Sequence, residues 1–260
     1  MSRFLKDTKK YYKYAIYSAK SKLQSEVASS YLNWLWWVLD PICFMLIYTL
    51  IFGVVFNAKE QYFTVFIFIG LTMWDFFNKS LLQSVKVIKA NKPIVSKVYI
   101  PKFILIFVKM GVNGFKMCIS LLIVVAMMIV WRVPVTWNVL YFIPIMMTLV
   151  VIVFGFACFL LHYGVFVEDL SNVLNIALRF LFYLTGVFWN IMDRLPAPYN
   201  KYIGRGNPIA FLITSTRDCL IYGKTPHRKL LLLWFVIGLI ISILGVRKIY
   251  KNENSYVKVI

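Results

Sequence analysis

Lys86-Val-Ile-Lys-Ala-Asn-Lys-Pro-Ile-Val-Ser-Lys-Val-Tyr-Ile-Pro-Lys102 carries five lysines and no acid, and it lies between two long apolar runs. Lysine in a short loop stays on the cytoplasmic side of a membrane, so this stretch orients every crossing around it. Pro93 suits the first turn of a short helix and Pro101 closes the segment. Ile94, Val95, Val98 and Tyr99 recur at three-and-four spacing, which predicts an apolar stripe able to press into a groove on a soluble partner. The lysines equally suit an ordinary loop resting on anionic head groups.

The rest of the chain supports a membrane setting. Hydrophobic residues make up 61% of the 260, aromatic residues 18% and charged residues 15%, with a mean hydropathy of +0.75, which excludes a soluble globular domain. The net charge of +19 would fit nucleic acid, but lysine and arginine gather at the ends of apolar runs rather than along one soluble face. Cys43, Cys118, Cys158 and Cys219 are too scattered for a disulfide framework or a metal site. The first apolar run follows a long basic segment and has no small-residue cleavage site, so insertion without a cleaved signal is expected.

Six crossings are expected, forming an all-α polytopic protein with a single transmembrane domain over 1–260. Residues 1–30 read as a cytoplasmic interface helix, because Tyr12, Ile16, Ala19, Leu23 and Val27 fall opposite Lys6, Lys13 and Lys20. Residues 31–190 hold spans one to five, including the loop 86–102, and the first span, 31–56, exceeds the length needed for roughly 30 Å of hydrocarbon. Trp34, Trp36 and Trp37 mark its cytoplasmic end. Asp40 follows, and an intramembrane acid should either face a partner or wet cavity, or accept backbone N–H groups beside a helix break at Pro41.

The later spans are 62–82, 103–131, 139–166 and 170–190. Asp75, Asn78 and Lys79 read as a satisfied polar cluster on the second, and Lys116 on the third as a weak candidate for a pore cation. On the fifth, Asn172, Asn175, Arg179 and Tyr183 put a polar face at membrane depth, with either an anionic lipid phosphate or Asp40 or Asp169 as the partner of Arg179. Residues 191–228, broken by Pro196, Pro198, Pro208 and Pro226, read as one or two short re-entrant outer helices, since 209–221 is too short to cross. Residues 229–260 are span six and a basic cytoplasmic tail, so both termini are expected inside. No phosphate-cradling loop of the G-x-x-x-x-G-K-[ST] type and no catalytic constellation occurs, and the chain is not expected to be an enzyme or to bind a cofactor or metal.

Four blocks then resemble one family, the ABC-2 type permeases that export polysaccharides and polyol phosphates, such as O-antigen, capsule and teichoic acid. Tyr31-Leu-Asn-Trp-Leu-Trp-Trp-Val-Leu-Asp-Pro through Tyr48-Thr-Leu-Ile-Phe-Gly is similar to its first span, and Phe68-Ile-Gly-Leu-Thr-Met-Trp-Asp-Phe-Phe to its second. The loop ending Val98-Tyr99-Ile100-Pro101-Lys102 and the late Asp193-Arg-Leu-Pro, Asn207-Pro-Ile and Arg217-Asp complete the set. Val167-Glu168-Asp169 departs from a frequent Arg-Asp pair, and Gly186 replaces a usual proline.

The resemblance implies a homodimer bound to two ATPase subunits, which hold the ATP and Mg. Its implied substrate is a lipid-linked glycan or teichoic-acid-like polymer, moved across a bacterial inner membrane. It assigns the coupling helix to Asn91, Lys92, Pro93, Ile94, Val95, Ser96, Lys97 and Val98. A channel lined by Trp34, Trp37, Asp40, Asn172, Asn175, Arg179 and Tyr183 is expected from face periodicity, with aromatic rings able to stack on sugars. A drug or small-lipid permease, and a motor-free scramblase or channel, are the alternatives.

Overall fold

A computed structural model describes residues 2–28, 31–55 and 60–259, so most of the expected turn at 57–61 lies outside the described residues. The described chain is helical, in chain order α1 (Ser2–Val27), α2 (Trp36–Tyr48), α3 (Phe63–Val85), α4 (Val87–Ala90), α5 (Lys92–Val95), α6 (Lys102–Val130) and α7 (Phe142–Phe166). Then follow α8 (Leu170–Leu184), α9 (Ile191–Arg194), α10 (Tyr199–Gly206), α11 (Pro208–Leu220), α12 (Arg228–Lys251) and α13 (Glu253–Val259). Five helical stretches are long and apolar enough to cross a bilayer: Trp36–Val54, Phe63–Val85, Lys102–Val130, Trp137–Phe166 and Arg228–Lys251.

Several boundaries differ from the sequence reading. The first span starts at Trp36 rather than Tyr31, after a 3-10 turn at Asn33–Leu35, and its outer end widens into a π-helical run, Thr49–Val55. Pro41 produces no break, because α2 continues through it. The fifth helix stops at Leu184, six residues early: the Thr185 hydroxyl donates to the Phe182 carbonyl at 2.7 Å and Gly186 turns left-handed at φ 65°. With 15 residues it is too short to be counted among the five by length alone. Three short helices, not one or two, fill the stretch from Ile191 to Leu220, and the last begins cleanly because Asn207 caps Ile209 N–H at 3.0 Å with Pro208 at the first position.

Helix α3 is the centre of the bundle. Fifteen of its 23 residues are buried, whereas α2 buries only Met45. Helices α7 and α12 pack closely because small residues line the seam. A Cβ on Gly155 would come within 2.9 Å of Ile241, one on Gly238 within 2.9 Å of Ile152, and one on Gly245 within 2.6 Å of Cys158. Ser242 crosses the same seam to the Val151 carbonyl at 3.0 Å. Helix α1 lies against the start of α6 through Phe4, Tyr11 and Ala15, and leaves Tyr12 and Ile16 of its expected apolar stripe exposed, a face free to lie among head groups.

Contacts sort the chain ends into two sets. On one side α1, the 86–102 loop, α13 and the turn after α7 meet: Arg3 reaches Tyr99 and Glu253, Lys22 reaches Asn91, and Lys89 pairs with Glu168 at 3.5 Å. On the other, Tyr222 donates to Glu60, Asn138 donates to the Gly223 carbonyl, and Arg228 lies over the Tyr141 ring. The basic loop and the two terminal helices therefore share a side.

Candidate functional site

Two features bring together residues with chemistry to offer: a basal platform around the basic loop, and an aromatic groove in the bundle.

The platform is built on the loop between α3 and α6. Asn91, between α4 and α5, is buried; its amide donates to the Val87 carbonyl at 2.6 Å and its oxygen accepts from Lys22 at 3.3 Å. Burial, and then the nearby charge of Lys109, hold the Lys22 ammonium below its usual range. Val87, Ile88, Val95 and Ile100 turn into the core, while Pro93, Ile94, Lys97, Val98 and Tyr99 face out. The expected apolar stripe therefore divides. Val95 anchors it, and Ile94 and Val98, 40% and 56% exposed, form a bare apolar knob ringed by lysines.

Beside the knob, one guanidinium joins three segments. Arg3 donates to the Tyr99 hydroxyl and to Glu253, each at 2.7 Å; Tyr99 donates to Glu253 at 3.1 Å; and Tyr250 donates to Asp7 at 2.6 Å. The hydrogen bond to Glu253 raises the Arg3 pKa. Desolvation, more than any partner, raises that of Tyr99, so both stay protonated at neutral pH. Composition gave no signal for this junction, since its members sit at opposite ends of the chain.

The groove has a volume of about 350 Å³ and lies between α2, α3, α6 and the end of α8. Trp36, Trp37, Phe44, Tyr48, Trp74 and Phe182 supply aromatic walls; Asp40, Asp75, Lys79, Lys116 and Ser120 supply polar ones. Lys79 pairs with Asp75 at 2.8 Å, and Lys116 with Glu26 of α1 at 2.5 Å. Asp40 makes no hydrogen bond among the described residues, so the geometry favours the cavity over the backbone-capping alternative. Of the residues expected to line a channel, only Trp37 and Asp40 meet here. Trp34 is exposed beyond the groove's rim. Asn172, Asn175, Arg179 and Tyr183 are exposed on α8, and no ion pair joins Arg179 to Asp40 or Asp169. Helix α8 instead contributes Phe182, whose ring is tilted against Trp74 with ring centres 5.2 Å apart.

A third arrangement, whose contacts the sequence did not reveal, ties α11 to α3 and to the segment after α8. Arg217 of α11 is fully inside and donates to the carbonyls of Phe66 at 3.0 Å and of Gly186 and Val187 at 2.7 Å, with its guanidinium 3.4 Å from the Phe66 ring centre. The planar fork of arginine can satisfy three carbonyls from two segments at once, which lysine cannot. Gly70 leaves the room: a Cβ there would lie 2.5 Å from Arg217 Nη2.

Among the described residues the protein is a helical bundle with five apolar helices of crossing length and an exposed apolar knob on a basic loop, an architecture of a polytopic membrane protein, and the comparisons place it among transport subunits. The family model for the ABC-2 type transporter matches residues 17–221, and the chain belongs to that family. It is 25% identical over 239 residues, 92% of its length and 91% of the relative's, to an "O-antigen export system permease protein RfbA" of Klebsiella pneumoniae. It is 23% identical to a protein of the same description from Myxococcus xanthus, covering 88% of each chain.

Proposed function

We propose that this chain is the permease subunit of an exporter that moves a lipid-linked polysaccharide across a bacterial inner membrane, driven by a separate ATPase seated on residues 91–98. The observation that carries the reading is the Ile94–Val98 knob: two bare aliphatic side chains on a loop anchored by buried Asn91 and Val95. Such a projection costs solubility unless a partner covers it, and its fixed base lets a push on the knob reach α3 and α6. ATP and Mg belong to that partner, whose two copies match two copies of this chain. The export of O-antigen named for the relatives, taken with an aromatic groove able to stack on sugar rings, supports a glycan as cargo.

Homodimer formation is supported by what one copy leaves uncovered. Helix α2 buries only Met45 and α8 only Leu178, and the polar face of α8 with Arg179 is exposed at a depth where hydrocarbon would make it costly. A second copy packed on α2 and α8 would cover that face and close the groove into a channel with Trp37, Asp40, Asn172, Asn175 and Arg179 around it. The same contacts support a reading with six crossings. The turn before α8 shares a side with Lys89 and the start of α12 lies with Tyr141 on the other, and in this reading α8 and the three short helices carry the chain across. The basic platform, by the positive-inside rule, is cytoplasmic, and both termini with it.

Purification of the tagged full chain from its native cell tests the reading. A nucleotide-hydrolysing partner recovered in equal amount with this subunit is expected. Recovery of the intact, inserted chain without one would favour a motor-free scramblase.

A further inference from the structure

On the side opposite the basal platform, α10, α11 and the segments flanking them enclose a polar cavity of about 410 Å³, separate from the aromatic groove and within the size range of small-ligand sites. Thr214, Ser215 and Asp218 share one face of α11 and line it. Among the described residues none of these three side chains makes a hydrogen bond, so their polar atoms are available to a ligand in the cavity. Arg205 and Lys224 bring two cations to the wall, and Asp193 joins Asp218 as a second acid.

That composition selects its ligand. Two acids against two exposed cations leave no net charge, so an anion such as phosphate would meet the carboxylates and an amine would meet Arg205 and Lys224. A neutral polyhydroxylated ring suits all of them. Its hydroxyls donate to Asp218, exchange hydrogen bonds with Thr214 and Ser215, and accept from Arg205 and Lys224, while the Phe211 and Tyr222 rings offer apolar faces. We propose that this cavity is a binding subsite for a neutral sugar unit on the far side of the bundle, an assignment that rests on the glycan-export reading. A polymer leaving the groove would find there a polar holding point that resists its return.

The test uses the full chain in lipid nanodiscs, free of sugar-headed detergent, with saturation-transfer NMR against glucose, galactose, mannose and N-acetylglucosamine, and with glucuronate and glucosamine as charged counterparts. At least one neutral sugar is expected to receive saturation more strongly than either charged one. Asp218→Asn should weaken its binding by roughly tenfold, as expected for loss of a hydrogen bond to a charged group, and Ser215→Ala and Lys224→Gln, the last at an exposed position, should weaken it to a lesser degree. Absence of any neutral-sugar signal, a stronger signal from glucuronate or glucosamine, or binding unchanged in both Asp218→Asn and Lys224→Gln would overturn the subsite. If the ATPase still co-purifies when the sugar signal is absent, the subsite alone fails and the export reading stands.

Discussion

Arg3 and Glu253 are 250 positions apart in sequence and 2.7 Å apart in space, with the Tyr99 hydroxyl hydrogen-bonded to both. The N-terminal interface helix, the basic loop and the C-terminal helix are thereby tied into one body.

The tie should be measurable as a coupling. In a double-mutant cycle of Arg3→Ala and Glu253→Ala, thermal unfolding in nanodiscs should show an interaction of about 1 kcal/mol, modest because Arg3 is half exposed. Strict additivity of the two single variants would mean that the pair contributes nothing to the platform.

Alkaline titration offers a second view of the same junction. The Tyr99 pKa is raised above 10.0, so the folded state holds its proton more tightly than the unfolded chain does. Its stabilising contribution is therefore complete below pH 10.0 and is lost as pH rises through the folded value. Phenolate absorbance of the wild type minus that of Tyr99→Phe should show a residue titrating later than a free tyrosine, and ordinary titration of that difference would contradict the geometry.

The Arg217 clamp should be intolerant of lysine. Arg217→Lys cannot serve the Phe66, Gly186 and Val187 carbonyls together, and Arg217→Met serves none, so both should lose roughly 1–3 kcal/mol or more and expose the α8–α9 connection to protease. Wild-type resistance to limited proteolysis in Arg217→Met would show that the connection is held by something else.

The α7–α12 seam makes a steric prediction. Gly245→Ala places a methyl 2.6 Å from Cys158, and Gly238→Leu a far larger group against Ile152, with expected losses of about 1–3 kcal/mol that rise with side-chain volume. Size-exclusion profiles after heating would rank the variants, and equal stability across the series would exclude close packing at this seam.

How much of this was legible in the sequence depends on the range of the interaction. Apolar runs of crossing length, the lysine-rich loop and the amphipathic first helix are local patterns, and five of the six expected runs reappear at crossing length among the described residues, while the fifth is shorter. The early end of α8 was written only in Gly186, whose left-handed turn takes effect together with the Thr185 hydroxyl. Asp75, Lys79 and Lys116 were visible as polar residues within apolar spans, but which cavity they face depends on how three helices pack. Arg217 was visible as half of a family-like Arg217-Asp pair, but its partners were not, because the carbonyls it serves lie 30, 31 and 151 positions away. Periodicity along α8 found a polar face and could not say that a single copy leaves it uncovered.

The central claim is that the knob on the basic loop is where an ATPase pushes. Its most direct measurement is transport-coupled ATP hydrolysis by the assembled complex carrying Ile94→Asp and Val98→Asp. These side chains are exposed, so insertion and folding should be unchanged while stimulation of the ATPase by this subunit falls to the level of the motor alone. Full stimulation in the doubly substituted, correctly inserted complex would contradict the account.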